Sequence, residues 1–360
     1  MSWNFVSTWT QNKDQNFEDD KRDWKKGKPR IHVESDKQLV IKIRKELELS
    51  NKEFYIGSET VLDKIKNSDY SNKEKINLSF IKKTLKDSGL SKTHKKKVKG
   101  NSVYQHYPKT LIENIGSVIV EIDFLERVIK GRTQPLNFIS FSCKKLKLRQ
   151  FKRIPAQTSI YARKGIKWFC DNFFIPDEFK MDNGLAFIGS ASGKRSLSKV
   201  VLMLFWMKVI PIFTNPRSPW NNGSVEGSNS VFAKNFWNKF IFNSIDDVDE
   251  KLKLFTVSSL NRSKFNKNNF EQIIKNKLIP KIYFIRKVHE NKEKEKGEIN
   301  ILNEKINLPK EYINLFTLSK WDLKTEMLTV LFEKDQKENI IKKIKFKINE
   351  KSRNGVSHFI

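Results

Sequence analysis

The chain has 360 residues, of which 38% are hydrophobic and 12% aromatic, so two or three domains with a sizeable core are expected and a single small module is excluded. Its 70 Lys and Arg against 41 Asp and Glu give a formal net charge of +29 at pH 7. This surplus favours a polyanionic partner such as nucleic acid, with a simply Lys-rich composition as the alternative.

Residues 1–36 are predicted to form a basic extended arm. The segment is polar apart from isolated tryptophans and contains Lys-Lys-Gly-Lys-Pro-Arg at 25–30. A basic segment with Gly and Pro can follow a DNA minor groove, which makes Lys28 and Arg30 candidate DNA-binding residues. A solvated linker is the alternative.

Residues 37–108 are predicted to form a DNA-binding region of helix-turn-helix units. Apolar residues at helical spacing indicate helices near 38–47, 58–65 and 77–92. The third helix is basic, as a helix in a major groove would be, and Lys82, Lys83 and Lys86 are its candidate DNA-binding residues. An ordinary helical domain is the alternative, and a basic linker is expected after it.

Residues 109–265 are predicted to form a mixed sheet flanked by helices. A β-branched run marks a buried central strand that carries Asp123. The expected order is three strands, helix, strand, helix, strand, helix, which is an α/β arrangement. The elements after the first strand are expected near residues 136–143, 146–154, 158–169, 178–182, 196–208, 209–213 and 224–240.

Residues 266–360 are predicted to form a basic C-terminal region with a small β barrel. Three alternating runs, at 312–318, 327–332 and 340–348, are typical of half-buried strands. The whole chain is therefore expected to be a multidomain α/β protein that ends in a small β domain.

Three carboxylates have unusual settings. Asp123 lies inside an apolar strand, where a charge is costly unless it is paired or binds a metal. Asp182 ends a short strand and is followed by Asn-Gly, a tight turn that projects a carboxylate from a sheet edge. Glu226 opens a helix after a loop rich in Pro, Asn and Gly. A turn residue and a favourable helix-terminal charge are the structural alternatives for Asp182 and Glu226.

The Asp-Asn-Gly at 182–184 and the Pro-x-x-Pro-x-x-Asn-Gly-x-Val-Glu pattern at 216–226, after a strand-borne Asp123, resemble the catalytic core of DDE transposases and retroviral integrases. The resemblance covers roughly residues 110–265 and looks most like the bacterial insertion-sequence transposases. It implies a ribonuclease-H-like fold that holds two Mg2+ or Mn2+ ions. Asp123 would bridge the two ions, while Asp182 and Glu226 would each complete one site.

Basic and aromatic residues near Glu226 are candidates for DNA contact. Arg217 and Trp220 lie in the loop before it, and Lys234 follows on the same predicted helix. They could meet phosphates or stack on a base. Packing of the loop is the alternative for Trp220.

Only two cysteines, Cys143 and Cys170, are present, which excludes a disulfide framework and a cysteine-rich zinc site. Retroviral-type integrases carry an N-terminal module of two His and two Cys, so its absence favours a bacterial element. No membrane span or secretion signal is predicted, because the apolar run at 200–207 is far shorter than the ~20 residues a span needs. The expected location is the bacterial cytoplasm, in association with the nucleoid.

These features together predict a transposase that binds element-end DNA and catalyses metal-dependent strand cleavage and strand transfer. The expected partners are double-stranded DNA, as element ends and target, and further copies of the chain in a homodimer or higher oligomer on DNA. No membrane partner is expected. The alternatives are a catalytically inert DNA-binding relative and a ribonuclease-H-like nuclease that cleaves without joining.

Overall fold

The computed structural model describes residues 32–50, 52–91, 107–189, 193–266, 280–291, 293 and 295–356. The chain divides into two compact units, Met1–Lys97 and Val98–Ile360. Lys28, Arg30 and most of the basic arm predicted for residues 1–36 lie outside the described residues.

In its described residues, the first unit has three helices around one apolar core. They are α1 (Glu34–Ser50), α2 (Ser58–Lys66) and α3 (Leu78–Asp87), with a short 3-10 turn at Lys73–Lys75. Each helix has an apolar face directed at the other two, as its residue spacing predicts. The buried core consists of Val40, Leu47, Val61, Ile65, Ile76, Ile81 and Leu85. The three predicted helices are therefore present, and their role in DNA binding stays a prediction.

The described residues of the second unit form two β-sheets. Nine strands form the large sheet in the order β12-β11-β10-β6-β5-β4-β1-β2-β3, and β7-β8-β9 form a small antiparallel sheet. The strands are β1 (Ile119–Val128), β2 (Pro135–Cys143), β3 (Leu148–Ile154), β4 (Glu178–Met181), β5 (Ile210–Phe213), β6 (Lys281–Lys287), β7 (His289–Asn291), β8 (Lys296–Ile301), β9 (Glu304–Leu308), β10 (Phe316–Asp322), β11 (Met327–Lys334) and β12 (Lys337–Lys345).

Helices occupy the connections and the end of this unit. They are α4 (Lys109–Glu113), α5 (Ser159–Asn172), α6 (Leu185–Ile188), α7 (Lys199–Trp206), α8 (Gly223–Phe232), α9 (Ile245–Asn261) and α10 (Glu350–Val356). A 3-10 turn at Pro219–Asn222 precedes α8, and a π turn at Ala233–Trp237 follows it. Among the described residues, no helix is both long and apolar enough to cross a membrane.

The part of the large sheet that carries the candidate acids has the predicted element order. Strands β1, β2 and β3 are an antiparallel meander, β4 pairs parallel with β1, and β5 pairs parallel with β4. Helix α5 lies between β3 and β4 in the chain, and α6 and α7 lie between β4 and β5. The prediction of a mixed α/β sheet is confirmed, and the sheet is consistent with a ribonuclease-H-like core.

The small β barrel predicted for residues 266–360 is not confirmed. Strands β10, β11 and β12 are present, but in the described residues they continue the large sheet instead of closing on themselves. The connection is β6, which pairs parallel with β5 and antiparallel with β10. Its central residues are buried on both faces, as Phe284 and its neighbour Ile285, both at 0% exposure, show. Because both faces are covered, β6 belongs inside a sheet.

Aromatic side chains fill much of the space between the sheet and its helices. Phe141 of β2 stacks on Phe169 of α5 with ring centroids 4.7 Å apart, and Phe213 of β5 stacks on Phe284 of β6 at 5.6 Å. Such pairs add about 0.5–1.5 kcal/mol each to the gain from burial. This packing makes a rigid platform for the loops at the strand ends.

Candidate active site

Asp123 lies in the middle of β1 and is half-buried. Its Oδ1 accepts a hydrogen bond from the backbone N–H of Phe124, and its Oδ2 accepts one from Nδ2 of Asn229 on α8, both at 2.9 Å. Burial, followed by the negative charge of Asp182, raises the pKa of Asp123 from 3.8 to about 7, and Glu226 adds to the rise. Three carboxylates are therefore close enough to interact electrostatically around Asp123.

Asp182 directly follows β4, at the edge of the sheet where the strand ends. Its Oδ1 accepts a hydrogen bond from the N–H of Gly184 at 2.9 Å, which closes a tight Asx turn. A Cβ at position 184 would lie 3.0 Å from this Oδ1, so glycine leaves the carboxylate room. Burial raises the pKa of Asp182. The Asp-Asn-Gly signal thus corresponds to a turn that exposes a carboxylate at a strand end.

Glu226 lies in the first turn of α8 and is half-buried. The first turn of a helix favours a negative side chain, because its unpaired N–H groups carry partial positive charge. The Pro216 and Pro219 of the preceding loop limit how the chain enters the helix.

One pocket of about 320 Å3 joins the three acids. It is lined by Asp123, Asp182, Asn183, Gly184, Thr214, Asn215, Pro216, Arg217, Ser218, Asn222 and Glu226. The acids come from β1, from the end of β4 and from α8, which are separate in sequence. In the described part of the chain, however, no three His, Cys, Asp or Glu side chains are close enough to hold one metal ion together. The acids share a pocket without forming a ready-made coordination sphere.

The chemistry of the pocket fits a hard divalent cation. Its acidic donors are all carboxylate oxygens, which suit Mg2+ or Mn2+ better than zinc. Asn222 adds a further oxygen: the residue is 6% exposed, and its Oδ1 has no hydrogen-bond partner among the described residues. An unpaired buried acceptor is costly, which favours a water, an ion or a ligand at this position.

Arg286 of β6 supports the pocket from behind and is a residue that the sequence analysis missed. It is 4% exposed, and its Nη2 donates to Oδ1 of Asn183 at 2.8 Å while Nη1 donates to the carbonyl of Thr214 at 2.7 Å. Its Nε donates to the carbonyl of Asn300 at 2.8 Å. Burial lowers the pKa of Arg286 to about 9. No local signal marks this residue, because its partners come from distant positions.

The predicted DNA-binding residues have different settings. Arg217 is exposed at the pocket and has a left-handed backbone with φ of 55°. Lys234 is exposed in the turn after α8 and does not line the pocket. The three lysines of α3, which belong to the first unit, are exposed: Lys82, Lys83 and Lys86. The side chain of Trp220 lies outside the described residues, as do Lys28 and Arg30.

Among known proteins, the chain matches solved structures, but no protein-family model and no curated protein matches it. The HTLV-2 integrase catalytic core domain in complex with magnesium, in its dimeric form, matches with 14% identity and a TM-score of 0.30, over 38% of this chain and 84% of that chain. The catalytic core domain of BIV integrase matches with 15% identity and a TM-score of 0.28, over 40% and 83% respectively. Similarity of this extent shows neither the family nor the activity of this chain.

Proposed function

We propose that this chain is a DDE-type polynucleotidyl transferase, and more specifically a transposase that cuts and joins DNA strands at the ends of a mobile element. The observation that carries the proposal is the convergence of Asp123, Asp182 and Glu226 on one pocket. Each acid comes from a different element, and each was singled out by a separate local pattern. A purely structural role for all three would leave their shared pocket without an explanation.

Asp123, Asp182 and Glu226 would hold the Mg2+ or Mn2+ ions, two in number. When bound, such ions supply charge neutralisation at phosphorus and activation of an attacking water or 3′-hydroxyl. The raised pKa of Asp123 supports this role, because burial and then the repulsion between the carboxylates disfavour the charged form until a cation is present. The Asx turn at Gly184 holds one oxygen of Asp182 at a defined angle, which limits the entropy lost when a ligand binds.

The positive charge of the chain supports a DNA substrate. Arg217 is exposed at the pocket, where it would contact a phosphate next to the scissile bond. Lys82, Lys83 and Lys86 form an exposed basic stripe on α3 of the first unit, which would bind the element end. Because one chain has one such set of acids and joining needs two DNA ends, we propose that a homodimer or higher oligomer assembles on DNA.

The test is a strand-transfer assay with the full chain, end-labelled element-end duplexes and supercoiled target in Mg2+ or Mn2+. Asp123→Asn, Asp182→Asn and Glu226→Gln should each reduce cleavage and joining by about 1000-fold or more, since several kcal/mol of charge stabilisation are lost. DNA binding should persist in all three. Glu126→Gln is the matched control, because Glu126 is an exposed acid of the same strand β1. A near-normal rate in any of the three variants would remove that residue from the site.

A catalytically inert DNA-binding relative is the second candidate. It is favoured by the finding that no three acidic side chains in the described residues are grouped tightly enough for one metal ion. The same assay separates the candidates. Cleavage with joining supports the transposase, cleavage without joining supports a nuclease, and metal-independent DNA binding with neither reaction supports the inert relative.

A further inference from the structure

Strands β1 and β4 carry a buried ion pair two residues before the candidate acids Asp123 and Asp182. Glu121 precedes Asp123 by two residues on β1, and Lys180 precedes Asp182 by two residues on β4. Residues two apart in a strand face the same side of the sheet. Glu121 and Lys180 are direct partners in the parallel pairing of these strands.

The two side chains are bonded to each other and largely hidden from solvent. Lys180 Nζ lies 3.1 Å from Glu121 Oε1, and the side chains are 8% and 13% exposed respectively. Charges this deeply buried are expensive unless each is paired and hydrogen-bonded. The pair therefore needs all of its remaining contacts.

Apart from Tyr107, whose ring centroid lies 5.8 Å from Lys180 Nζ, these contacts lie at the start of α8 and in the 3-10 turn before it. Glu121 Oε2 accepts hydrogen bonds from the backbone N–H groups of Ser224 and Val225, both at 2.9 Å. Lys180 Nζ donates to the carbonyl oxygen of Asn221. Helix α8 has no side-chain cap of its own, since Asn222 makes no capping hydrogen bond. A carboxylate from β1 thus satisfies the first N–H groups of this helix.

We propose that Glu121 and Lys180 are positioning residues that fix the first turn of α8, and with it Glu226, over the strands that carry Asp123 and Asp182. Glu226 directly follows Val225, whose N–H is held by Glu121. Through the pair, β1 and β4 are bonded to the first turn of α8 and to the 3-10 turn before it. The expected effect of the pair on metal binding rests on the proposed function, whereas its role in fixing the first turn of α8 does not.

The experiment uses the full chain and three variants: Glu121→Gln, Lys180→Met and the double variant. Two quantities are measured, the affinity for Mn2+ as a probe ion and the hydrogen–deuterium exchange of residues 219–230. Asp182→Asn defines the Mn2+ binding that belongs to the pocket. Residues that bond metal ligands directly are typically worth about 10- to 100-fold in metal affinity. Because Glu121 and Lys180 act through the first turn of α8, each single variant should weaken pocket binding by the lower end of this range, about 10-fold. Exchange in 219–230 should accelerate at the same time.

The matched control is the ion pair of Arg153 and Asp249. Its two hydrogen bonds, both 2.6 Å, join β3 to α9, and neither residue lines the pocket. Arg153→Met and Asp249→Asn should lower Tm while leaving Mn2+ affinity and exchange in 219–230 unchanged. The double variant Glu121→Gln/Lys180→Met leaves no unpaired charge, so it should stay folded even where Lys180→Met does not.

Equal Mn2+ affinity and equal exchange in the folded variants and the wild type would overturn the inference. If Asp182→Asn binds Mn2+ with the same affinity as the wild type, the result counts against the proposed function. In that case faster exchange of 219–230 in the variants would still support the positioning role, and unchanged exchange would refute it.

Discussion

Asp123→Asn should stabilise the metal-free protein at neutral and alkaline pH, although it abolishes the proposed activity. The pKa of Asp123 is raised from 3.8 to about 7, so the folded state binds its proton more tightly than the unfolded state does. Unfolding therefore releases a proton between these values, and stability falls as pH rises through that window. The stability that the wild type gains from the proton on Asp123 is complete below about pH 4 and lost above about pH 7, where the variant is therefore the more stable of the two.

The change in the free energy of unfolding follows from the difference between the folded-state and unfolded-state pKa values of Asp123. One pKa unit corresponds to about 1.4 kcal/mol, so burying Asp123 costs about 4 kcal/mol at pH 8, where the folded state holds it ionised, and about 1.6 kcal/mol at pH 5, where folding must take up a proton. An asparagine removes this cost but loses about 1 kcal/mol, because its amide nitrogen cannot accept one of the two hydrogen bonds. The variant should therefore be about 3 kcal/mol more stable at pH 8 and within about 1 kcal/mol of the wild type at pH 5.

The assay is urea unfolding of the full chain with a chelator present, at several pH values between 5 and 8. Glu126→Gln controls for removing one negative charge from β1, and its stability should differ from the wild type by the same small amount at every pH. Added Mn2+ should stabilise the wild type and leave Asp123→Asn nearly unchanged, because ligand binding to the folded state raises its stability. An equal stability difference between variant and wild type at pH 5 and pH 8 would refute the reasoning.

Three further predictions concern DNA binding, the support of the pocket and assembly. Replacing Lys82, Lys83 and Lys86 together by Gln should lower the slope of log Kd against log salt by about 3, because each phosphate contact contributes about 0.9, and fluorescence anisotropy in a KCl series measures it. An unchanged slope would exclude α3 from the DNA interface. Arg286→Met should cost about 3 kcal/mol or more in urea unfolding, because Asn183 and three carbonyl groups each lose a buried donor, whereas a loss below about 1 kcal/mol would show that they find other partners. Mixing Asp182→Asn chains with chains that lack the first unit, Met1–Lys97, should restore joining if catalysis occurs across protomers. Full activity of one chain on one DNA end would contradict the proposed assembly.

The extent to which the candidate site could be predicted depended on how local its signals are. Asp123 was recognisable as an acid in an apolar strand, and Asp182 as the first residue of an Asp-Asn-Gly turn. Glu226 was recognisable from the loop that opens its helix. In contrast, Arg286 and the pair of Glu121 and Lys180 lacked any such mark, because each is defined by partners far away in the chain.

The amino-acid sequence by itself determined the five strands of residues 109–265, the helices α5, α7 and α8, and three acids that line the pocket, whereas α4, α6 and α9 were not predicted. These features depend on local patterns, namely alternation, β-branched runs and turn residues, which act over a few neighbouring positions. Only the tertiary structure decided that β6 and β10–β12 extend the large sheet and that Glu121 caps α8. The alternation of apolar and polar residues shows which residues of a strand share a face, but it does not show which other strand pairs with that strand. That choice depends on burial and hydrogen bonding between segments distant in sequence.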